Sequence, residues 1–356
     1  MELFDVRLFV EARLGLEPGS STVLTGPNGT GKTTLLEAIA YLGSQRSFRT
    51  SARDAMVRVG RERAIVRAHL ERESRPLVVE SELQARGGTR TLVNHRPVHG
   101  RSELADAVPV TVFSPDDLAL VQGPPVRRRD LVDAALRLID PRAAADLDQL
   151  DKVLRQRTAL LRQAGGKLTT EVASTLDVWD ERLVVSGEAV SAARRALVED
   201  ASTPVQEAYA GLSSAPSCAA PVTLDYVRGW QGDLAGALGA SRKDDLRRAA
   251  CTVGPHRDEV ILRIDGRDAR ARASQGEQRS LALALRLGLH RLVTQRRGST
   301  PLLLLDDVFS ELDPQRSRAL ARHLPPGQTL LTTATDLPEG IEVGAVLDVR
   351  SLGRRS

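Results

Sequence analysis

Three short segments, far apart but in a defined order, limit the folds open to this chain. A glycine-rich loop at residues 26–33 follows a β-type run and precedes a helix-type run. A Ser-Gln-Gly-Glu-Gln segment begins at Ser274, and an apolar run at residues 302–305 ends in Asp306 and Asp307. Such a run is typical of a strand that is buried on both faces of a sheet. Together the segments predict an α/β fold in which the two ends of the chain build one nucleotide site.

The glycine-rich loop fits the pattern G-x-x-x-x-G-K-[ST]. Its residues are Gly26, Pro27, Asn28, Gly29, Thr30, Gly31, Lys32 and Thr33, and Thr34 continues into the helix. Glycines let the backbone wrap closely, so that successive N–H groups point at a phosphate. Lys32 then reaches the β- and γ-phosphates as a catalytic cation, and Thr33 offers its hydroxyl to Mg²⁺. The loop therefore predicts ATP binding, whereas the alternative is a glycine turn formed by chance.

The two aspartates complete this prediction. A carboxylate at the carboxyl end of a buried strand beside the loop suits Asp306 as a second Mg²⁺ ligand. Asp307 would then act as the general base on the attacking water. The alternative is that both aspartates only cap the turn that follows the strand.

Ser274 and Glu277 satisfy the S-x-x-E capping box in front of a long helix predicted over residues 275–297. A capped helix N-terminus that carries a glycine also attracts anions. Ser274, Gly276 and Gln278 are therefore candidate nucleotide contacts as well as candidate capping residues.

The regions between these motifs predict the remaining organisation. Residues 4–10 read as one extended segment, and residues 64–70, 77–83 and 89–93 read as antiparallel strands. A heptad seam on either side of a Gly-Gly break predicts a short antiparallel helical hairpin. Its second-helix positions are Val172, Leu176, Trp179, Leu183, Ser186, Val190, Ala193 and Leu197. We expect a first part of the nucleotide domain at residues 1–125, a helical lobe at 126–250 and a second part of the nucleotide domain at 251–356.

Composition adds little about function. The net charge is +4, and lysine accounts for only four of the 50 basic residues, so nearly all positive charge is arginine. Arginine suits phosphate, which permits a nucleic-acid surface; genomic bias towards arginine is the alternative. Residues 127–129 are three consecutive arginines that either contact phosphate or form a solvated helix face. Two cysteines, no membrane-length apolar run and no signal peptide favour the cytoplasm.

Together these motifs resemble the ABC-type ATPase heads of the SMC superfamily. Three further segments narrow the resemblance to the RecF family of bacterial DNA replication and repair proteins. They are Phe-Ser-Pro-Asp-Asp-Leu at 113–118, Gly-Pro-His-Arg-Asp-Glu at 254–259 and Ser-Gln-Gly-Glu-Gln-Arg at 274–279. The resemblance spans essentially the whole chain.

The resemblance implies an ATP-dependent homodimer on duplex, gapped or junction DNA that hydrolyses ATP slowly. It also implies RecO- and RecR-type mediator partners, a role in loading recombinase and no membrane association. By the same transfer, Ser274, Gly276 and Gln278 of one copy contact the ATP held by residues 26–33 of the other.

Two departures from the ABC pattern suggest weak turnover. Asp307 stands where glutamate is common, and the segment at residues 332–336 lacks the usual switch histidine, so Thr335 or Asp336 is expected to sense the γ-phosphate. His256 is either a loop histidine or a site residue, and Asp116–Asp117 mark a helix start or a link between lobes.

Three other classes of protein share some of these features. They are a transporter ATPase subunit, a long-armed clamp and a non-hydrolysing ATP-gated DNA-binding module. About 240 residues separate Thr33 from Ser274, which argues against the transporter subunit. Four heptads span only about 40 Å, which argues against the long-armed clamp.

Overall fold

The computed structural model describes residues 1–50, 52, 54–72, 74–98, 100–212, 220–334 and 337–355. Its strands are β1 (Glu2–Val6), β2 (Phe9–Arg13), β3 (Ser21–Thr25), β4 (Arg63–Arg72), β5 (Arg75–Gln84), β6 (Thr89–Val93), β7 (Arg96–Pro97), β8 (Val110–Phe113), β9 (Val222–Val227), β10 (Glu259–Ile264), β11 (Arg267–Asp268), β12 (Leu302–Asp306), β13 (Thr329–Thr332), β14 (Ala345–Asp348) and β15 (Gly353–Arg355). Its α-helices are α1 (Lys32–Ser44), α2 (Arg101–Ala107), α3 (Ala119–Gln122), α4 (Pro125–Ile139), α5 (Pro141–Gln163), α6 (Thr170–Leu212), α7 (Leu234–Arg248), α8 (Ala269–Arg272), α9 (Gln275–Arg297) and α10 (Pro314–His323).

A parallel sheet brings the two ends of the chain together. Its strand order is β14-β3-β13-β12-β8, and every neighbouring pair is parallel. β3 leads into the glycine-rich loop and β12 ends at Asp306, with β13 between them. Because parallel strands end at the same edge of a sheet, the loop, Asp306 and the end of β13 meet there.

Helix α1 lies between this parallel sheet and a second, antiparallel sheet of order β15-β2-β1-β4-β5-β6-β7. Its residues from Thr34 to Gly43 are all buried. A largely apolar helix that is buried on all sides is typical of a core position, and here it contacts both sheets. Leu35, Leu36 and Leu42 belong to one core cluster with Leu3, Val66 and Leu330, which come from the two sheets. The first compact unit contains this sandwich and comprises residues 1–117, 208–212 and 283–355 of the described chain.

The second compact unit comprises residues 118–207 and 220–282. It holds α4, α5, α7, most of α6 and a three-stranded antiparallel sheet of order β11-β10-β9. Leu161 on α5 and Leu176 on α6 pack into one cluster with Leu246 and Cys251, and the predicted antiparallel hairpin of these two helices stays a prediction. No helix in the described part of the chain combines the length and apolarity needed to cross a bilayer.

A buried arginine on α5 contacts both α6 and α7. Arg157 on α5 is fully buried, and its Nε donates to Asp180 Oδ1 on α6 at 2.7 Å. Its Nη1 donates to Asp245 Oδ2 on α7 at 2.6 Å and to the Cys251 thiol at 3.3 Å. Asp245 is fully buried and pairs with Arg157, whereas Asp180 also accepts from Arg242 at 2.7 Å. The buried Arg157–Asp245 pair is stable only while both partners are present.

Most of the predicted elements are confirmed. The three strands predicted within residues 64–93 are β4, β5 and β6, and the helix predicted over residues 275–297 is α9. The predicted seam positions on α6 are all buried or half-buried, although heptad packing itself stays a prediction. The single extended segment predicted at residues 4–10 is wrong, because β1 and β2 form a hairpin that turns at Arg7 and Leu8. Arg7 has φ 50°, a left-handed conformation that is uncommon for arginine and that the sequence does not predict.

The compact units divide the chain differently from the domains expected from sequence. The first boundary between the compact units lies at residues 117/118, and the expected domain boundary at 125/126 stays a prediction. Residues 251–282, expected in the nucleotide domain, cluster with the helical unit, and the boundaries at 207/208 and 282/283 fall inside α6 and α9. Hydrophobic periodicity does not mark a boundary inside a continuous helix.

We expect Arg157→Met to lower the free energy of unfolding by about 3–5 kcal/mol, because it leaves the fully buried Asp245 without its cation. Arg247→Met is the matched control, since Arg247 pairs with Asp244 on an exposed face of α7, and it should cost less than about 1 kcal/mol. Urea unfolding followed by circular dichroism measures both. Equal losses for the two variants would contradict the assignment of Arg157 as the link between the three helices.

Candidate nucleotide-binding site

The backbone of the glycine-rich loop has a conformation that only glycine adopts easily. Gly26, Gly29 and Gly31 have φ of 141°, 78° and 96°. At Gly31 a second constraint applies, because an added Cβ would lie 2.7 Å from two ring carbons of Phe9 on β2. Helix α1 begins at the next residue, so its first N–H groups face the space enclosed by the loop.

Lys32 lies across this loop. The side chain is 7% exposed, and its Nζ donates to the carbonyl oxygens of Gly26 at 2.5 Å and Pro27 at 3.2 Å. Those carbonyls hold the ammonium over the loop, where it would meet a phosphate bound by the backbone N–H groups. Gly26 and Pro27 therefore act through Lys32, and residues 28–34 line the cavity directly.

Asp306 and Thr33, which the sequence predicts as Mg²⁺ ligands, lie in hydrogen-bond contact. Thr33 Oγ1 donates to Asp306 Oδ1 at 2.8 Å. Thr332, at the end of β13, donates its hydroxyl to the same oxygen at 3.0 Å and accepts the Asp307 backbone N–H at 2.9 Å. Burial raises the pKa of Asp306, while the two hydroxyls and the Arg49 charge act in the opposite direction.

These residues fit Mg²⁺. The ion prefers hard oxygen ligands, keeps several waters and is held by one or two protein groups together with phosphates. Thr33 and Asp306 supply such oxygens, and a cation would stabilise a carboxylate whose charge burial disfavours. Within the described residues no group of three or more His, Cys, Asp and Glu side chains could hold a metal. Mg²⁺ would be held by these two side chains together with the phosphates of a nucleotide.

Asp307 follows in a left-handed conformation, with φ 49°. This conformation turns the chain out of β12, and the side chain lines the cavity. Its buried Oδ1 has no hydrogen-bond partner among the described residues. A carboxylate oxygen in this position is free to accept a proton from a water in the cavity.

The cavity has a volume of about 630 Å³. Its lining includes residues that sequence reasoning did not identify: Arg7, Leu8, Arg49, Val57, Arg58 and Val59. They come from the β1–β2 turn and from the segment between α1 and β4, neither of which carries a recognisable motif. Three arginines and Lys32 facing one cavity indicate a polyanionic ligand.

The Ser274 segment forms the predicted capping box in the second unit. Glu277 Oε2 accepts from Ser274 N at 2.7 Å and from Ser274 Oγ at 2.8 Å, and Glu277 N donates back to Ser274 Oγ at 3.3 Å. Ser274 is exposed and Gly276 is half-buried. Gln278 is buried: its Nε2 donates to Ala269 O at 2.9 Å, and its Oε1 accepts from Gln122 at 2.6 Å. The structure therefore gives Gln278 a bracing role, and its contact with a nucleotide stays a prediction.

The consecutive arginines at residues 127–129 do not form one solvated face. Arg128 is buried and makes a two-point contact with Glu259 at 2.9 and 3.0 Å. Arg129 Nη1 donates to the Asp258 carbonyl at 2.5 Å, and only Arg127 is exposed. The hypothesis that all three contact DNA phosphate does not fit these contacts.

The remaining candidates have structural partners or lie outside the described residues. Burial lowers the pKa of His256 to about 4, and its Nε2 contacts the Cys251 carbonyl at 2.9 Å. Asp117 is buried and accepts from Arg286 at 2.6 Å and from Ser114 N at 3.0 Å. Thr335 and Asp336, the expected γ-phosphate sensors, lie outside the described residues.

Comparison with known proteins agrees with these motifs. Residues 2–333 match the family model described as "RecF/RecN/SMC N terminal domain". A Beutenbergia cavernae protein named "DNA replication and repair protein RecF" is 39% identical, over 98% of this chain and 96% of its own. A Frankia alni protein of the same name is 40% identical, over 94% and 92% of the two chains.

The chain belongs to the RecF family. A solved structure titled "Structure of the recombination mediator protein RecF-ATPrS in RecFOR pathway" superposes with a TM-score of 0.83 at 26% identity, covering 99% of this chain and 96% of that one. An SMC head bound to part of ScpA has a TM-score of 0.52 at 16% identity, covering 94% and 88%, and shows a shared fold only. The predicted ABC-type ATPase head fold is therefore confirmed.

Gly31→Ala and Gly29→Ala form a matched pair that tests the loop geometry. Both add a Cβ at positive φ, which costs about 1–2 kcal/mol. Only the Cβ at position 31 also meets the Phe9 ring, whereas the one at position 29 meets nothing within 4 Å. We expect Gly31→Ala to reduce the free energy of unfolding by about 1–3 kcal/mol more than Gly29→Ala, the usual cost of overpacking. Chemical denaturation measures both, and equal costs would contradict the contact between the loop and β2.

Proposed function

We propose that this RecF-family protein is an ATP-dependent DNA-binding protein of recombinational repair and replication restart. In this proposal it dimerises on DNA with bound ATP, hydrolyses the ATP slowly and helps to load recombinase at gaps. The observation that carries the proposal is the contact between Thr33 and Asp306, beside Lys32 and the unpartnered Asp307 oxygen. Relatives named for DNA replication and repair, and RecF structures whose titles name ATP, support it further.

The residues of the cavity divide the work of phosphoryl transfer. The loop N–H groups and Lys32 hold the β- and γ-phosphates, and Thr33 and Asp306 would hold Mg²⁺, which neutralises charge on the phosphates. Asp307 takes a proton from a water, whose oxygen forms a bond to the γ-phosphorus. The bond from that phosphorus to the bridging oxygen breaks, and ADP leaves with the electron pair. The three arginines that line the cavity with Lys32 stabilise the charge on the phosphates throughout.

The proposal needs a second copy of the chain for the Ser274 segment. Ser274 is exposed at the N-terminus of the 23-residue α9, whose partial positive charge favours an anion. The capping box fixes Ser274 and Glu277, so the loop is ordered before any partner arrives. We therefore assign the segment to the γ-phosphate held by the partner's loop, with Ser274 and Gly276 as the contacts.

DNA is the proposed macromolecular partner, with RecO- and RecR-type mediators as protein partners. The arginine-rich surface supports phosphate binding, although Arg128, Arg157 and Arg194 are buried in internal ion pairs and do not contribute. Exposed arginines such as Arg127 remain for DNA. A repair protein that acts on bacterial DNA works in the cytoplasm, which is the proposed location.

One alternative keeps ATP and DNA but removes catalysis. Asp307 is one methylene shorter than the glutamate common in ABC heads, so its carboxylate has a shorter reach to the attacking water. This feature favours a non-hydrolysing, ATP-gated DNA-binding module. Family membership argues against the transporter ATPase subunit.

ATP should convert the protein from monomer to dimer, and ADP should not, because only a γ-phosphate reaches from one copy to the Ser274 segment of the other. Sedimentation velocity with Mg²⁺ and each nucleotide, with and without a short duplex, measures this change. A protein that binds ATP and stays monomeric in both cases would contradict the assignment of Ser274 to the partner's nucleotide.

Asp307→Asn should slow ATP hydrolysis about 100-fold or more while ATP affinity stays within about threefold of wild type, because the water loses its base but the metal keeps its ligand. Asp306→Asn should instead weaken the Mg²⁺-dependent part of ATP binding. Phosphate release and calorimetric titration separate the two effects. Unchanged turnover in Asp307→Asn would favour another base, and no turnover in the wild type would favour the non-hydrolysing module.

A further inference from the structure

A fully buried carboxylate lies one helical turn beyond Thr33. Glu37 on α1 is 0% exposed and receives two hydrogen bonds from Arg7, from Nε to Oε2 at 2.6 Å and from Nη2 to Oε1 at 2.7 Å. The Ser47 hydroxyl donates to Oε1, and Arg49 Nη1 lies 3.8 Å from Oε2. A carboxylate this deep in a core is stable only when cations and hydrogen bonds compensate its charge.

Glu37 therefore connects the β1–β2 turn to the segment after α1, and neither segment carries a recognisable sequence motif. Arg7 lies in the β1–β2 turn. Ser47 fixes the segment after α1, because its Oγ also accepts the backbone N–H groups of Arg49 at 3.0 Å and Thr50 at 3.1 Å. Both segments are thus attached to the helix that begins at Lys32.

The two arginines held by Glu37 face the nucleotide cavity. Arg7 and Arg49 both line it, together with Lys32 and Thr33. The two-point contact uses Nε and Nη2 of Arg7 and leaves Nη1 for another acceptor. A guanidinium held on one edge is a rigid donor, which suits a phosphate oxygen better than a free side chain does.

Arg49 lines the same cavity as Thr33, Asp307 and Thr332, which lie at the end where the cation would be held. Its Nη1 is 3.8 Å from Oε2 of Glu37, one helical turn beyond Thr33. Its side chain is 43% exposed, and 3.8 Å from Glu37 is beyond hydrogen-bond distance, so the guanidinium has capacity for a phosphate. Since the cation bridges the β- and γ-phosphates, this end of the cavity is the γ-phosphate end.

We propose that Glu37 is a positioning residue that holds Arg7 and Arg49 against the nucleotide phosphates, with Arg49 at the γ-phosphate. This inference rests on the proposed ATP site and goes beyond it, because it assigns the preference for triphosphate over diphosphate to a side chain that never touches the ligand. It also supplies a γ-phosphate contact in a chain that lacks the usual switch histidine.

The test is calorimetric titration of Glu37→Gln with Mg-ATP and Mg-ADP. Glutamine keeps the size and an acceptor for Ser47 but removes the charge that holds the arginines. The ratio of ATP to ADP affinity should fall by about tenfold to a hundredfold, the factor that one charge-assisted hydrogen bond provides. ADP affinity should change by less than about threefold.

A double-mutant cycle separates positioning from a general loss of structure. Arg49→Ala should lower the same ratio, Arg49→Lys should restore part of it, and Glu37→Gln combined with Arg49→Ala should add little further loss. Asp117→Asn is the matched control, since this buried carboxylate pairs with Arg286 at 2.6 Å and does not line the cavity. It should leave the ratio unchanged.

An unchanged ratio in Glu37→Gln, or additive losses in the double variant, would overturn the positioning role while wild-type ATP binding stands. A wild-type protein that binds neither nucleotide would instead overturn the proposed function. If Glu37→Gln does not fold, the Arg49 variants decide: an unchanged ratio in Arg49→Ala contradicts the inference.

Discussion

The hydrogen bond between Thr33 and Asp306 joins residues that are 273 positions apart, and the site depends on it. Thr33 lies in the first turn of the helix after the glycine-rich loop, and Asp306 ends a strand that follows the helical unit along the chain. The parallel sheet makes the contact possible, because β3, β13 and β12 end at one edge. Thr332 from the middle strand completes it with a hydroxyl that bonds Asp306 and the Asp307 backbone.

Helix α1 connects this edge to the second sheet. Its first turn carries Lys32 and Thr33, and its second turn carries Glu37, which binds Arg7 from the β1–β2 hairpin. Two cations of the cavity are thus held by fixed acceptors: Lys32 by the carbonyl oxygens of the loop, and Arg7 by the buried carboxylate of Glu37. Such preorganised charges need little rearrangement when a polyanion binds, which is how fixed dipoles and charges favour phosphoryl transfer.

The sequence predicts those parts of the site whose chemistry is local. The glycine-rich loop, the capping box at Ser274 and the buried strand before Asp306 each carry their own pattern, and α9 has the predicted bounds. Arg7 and Arg49 carry none, because their positions depend on a left-handed turn and on a distant carboxylate. Glu37 itself reads as an ordinary helix residue. Arg128 misleads in the opposite sense: a charge run suggests a solvated face, but Glu259 lies opposite it and allows its burial.

The central claim is that each nucleotide-binding site is formed by two copies of the chain. Subunit mixing tests this claim most directly. Lys32→Met removes the cation from one copy's loop, and Ser274→Arg blocks the Ser274 segment of the other copy. Each variant alone should be inactive in ATP hydrolysis on DNA, whereas an equimolar mixture should regain about a quarter of the wild-type rate, because half of the dimers are mixed and each has one intact site. A mixture as inactive as its components, or a Ser274→Arg protein that hydrolyses ATP alone, would contradict a site shared between two copies.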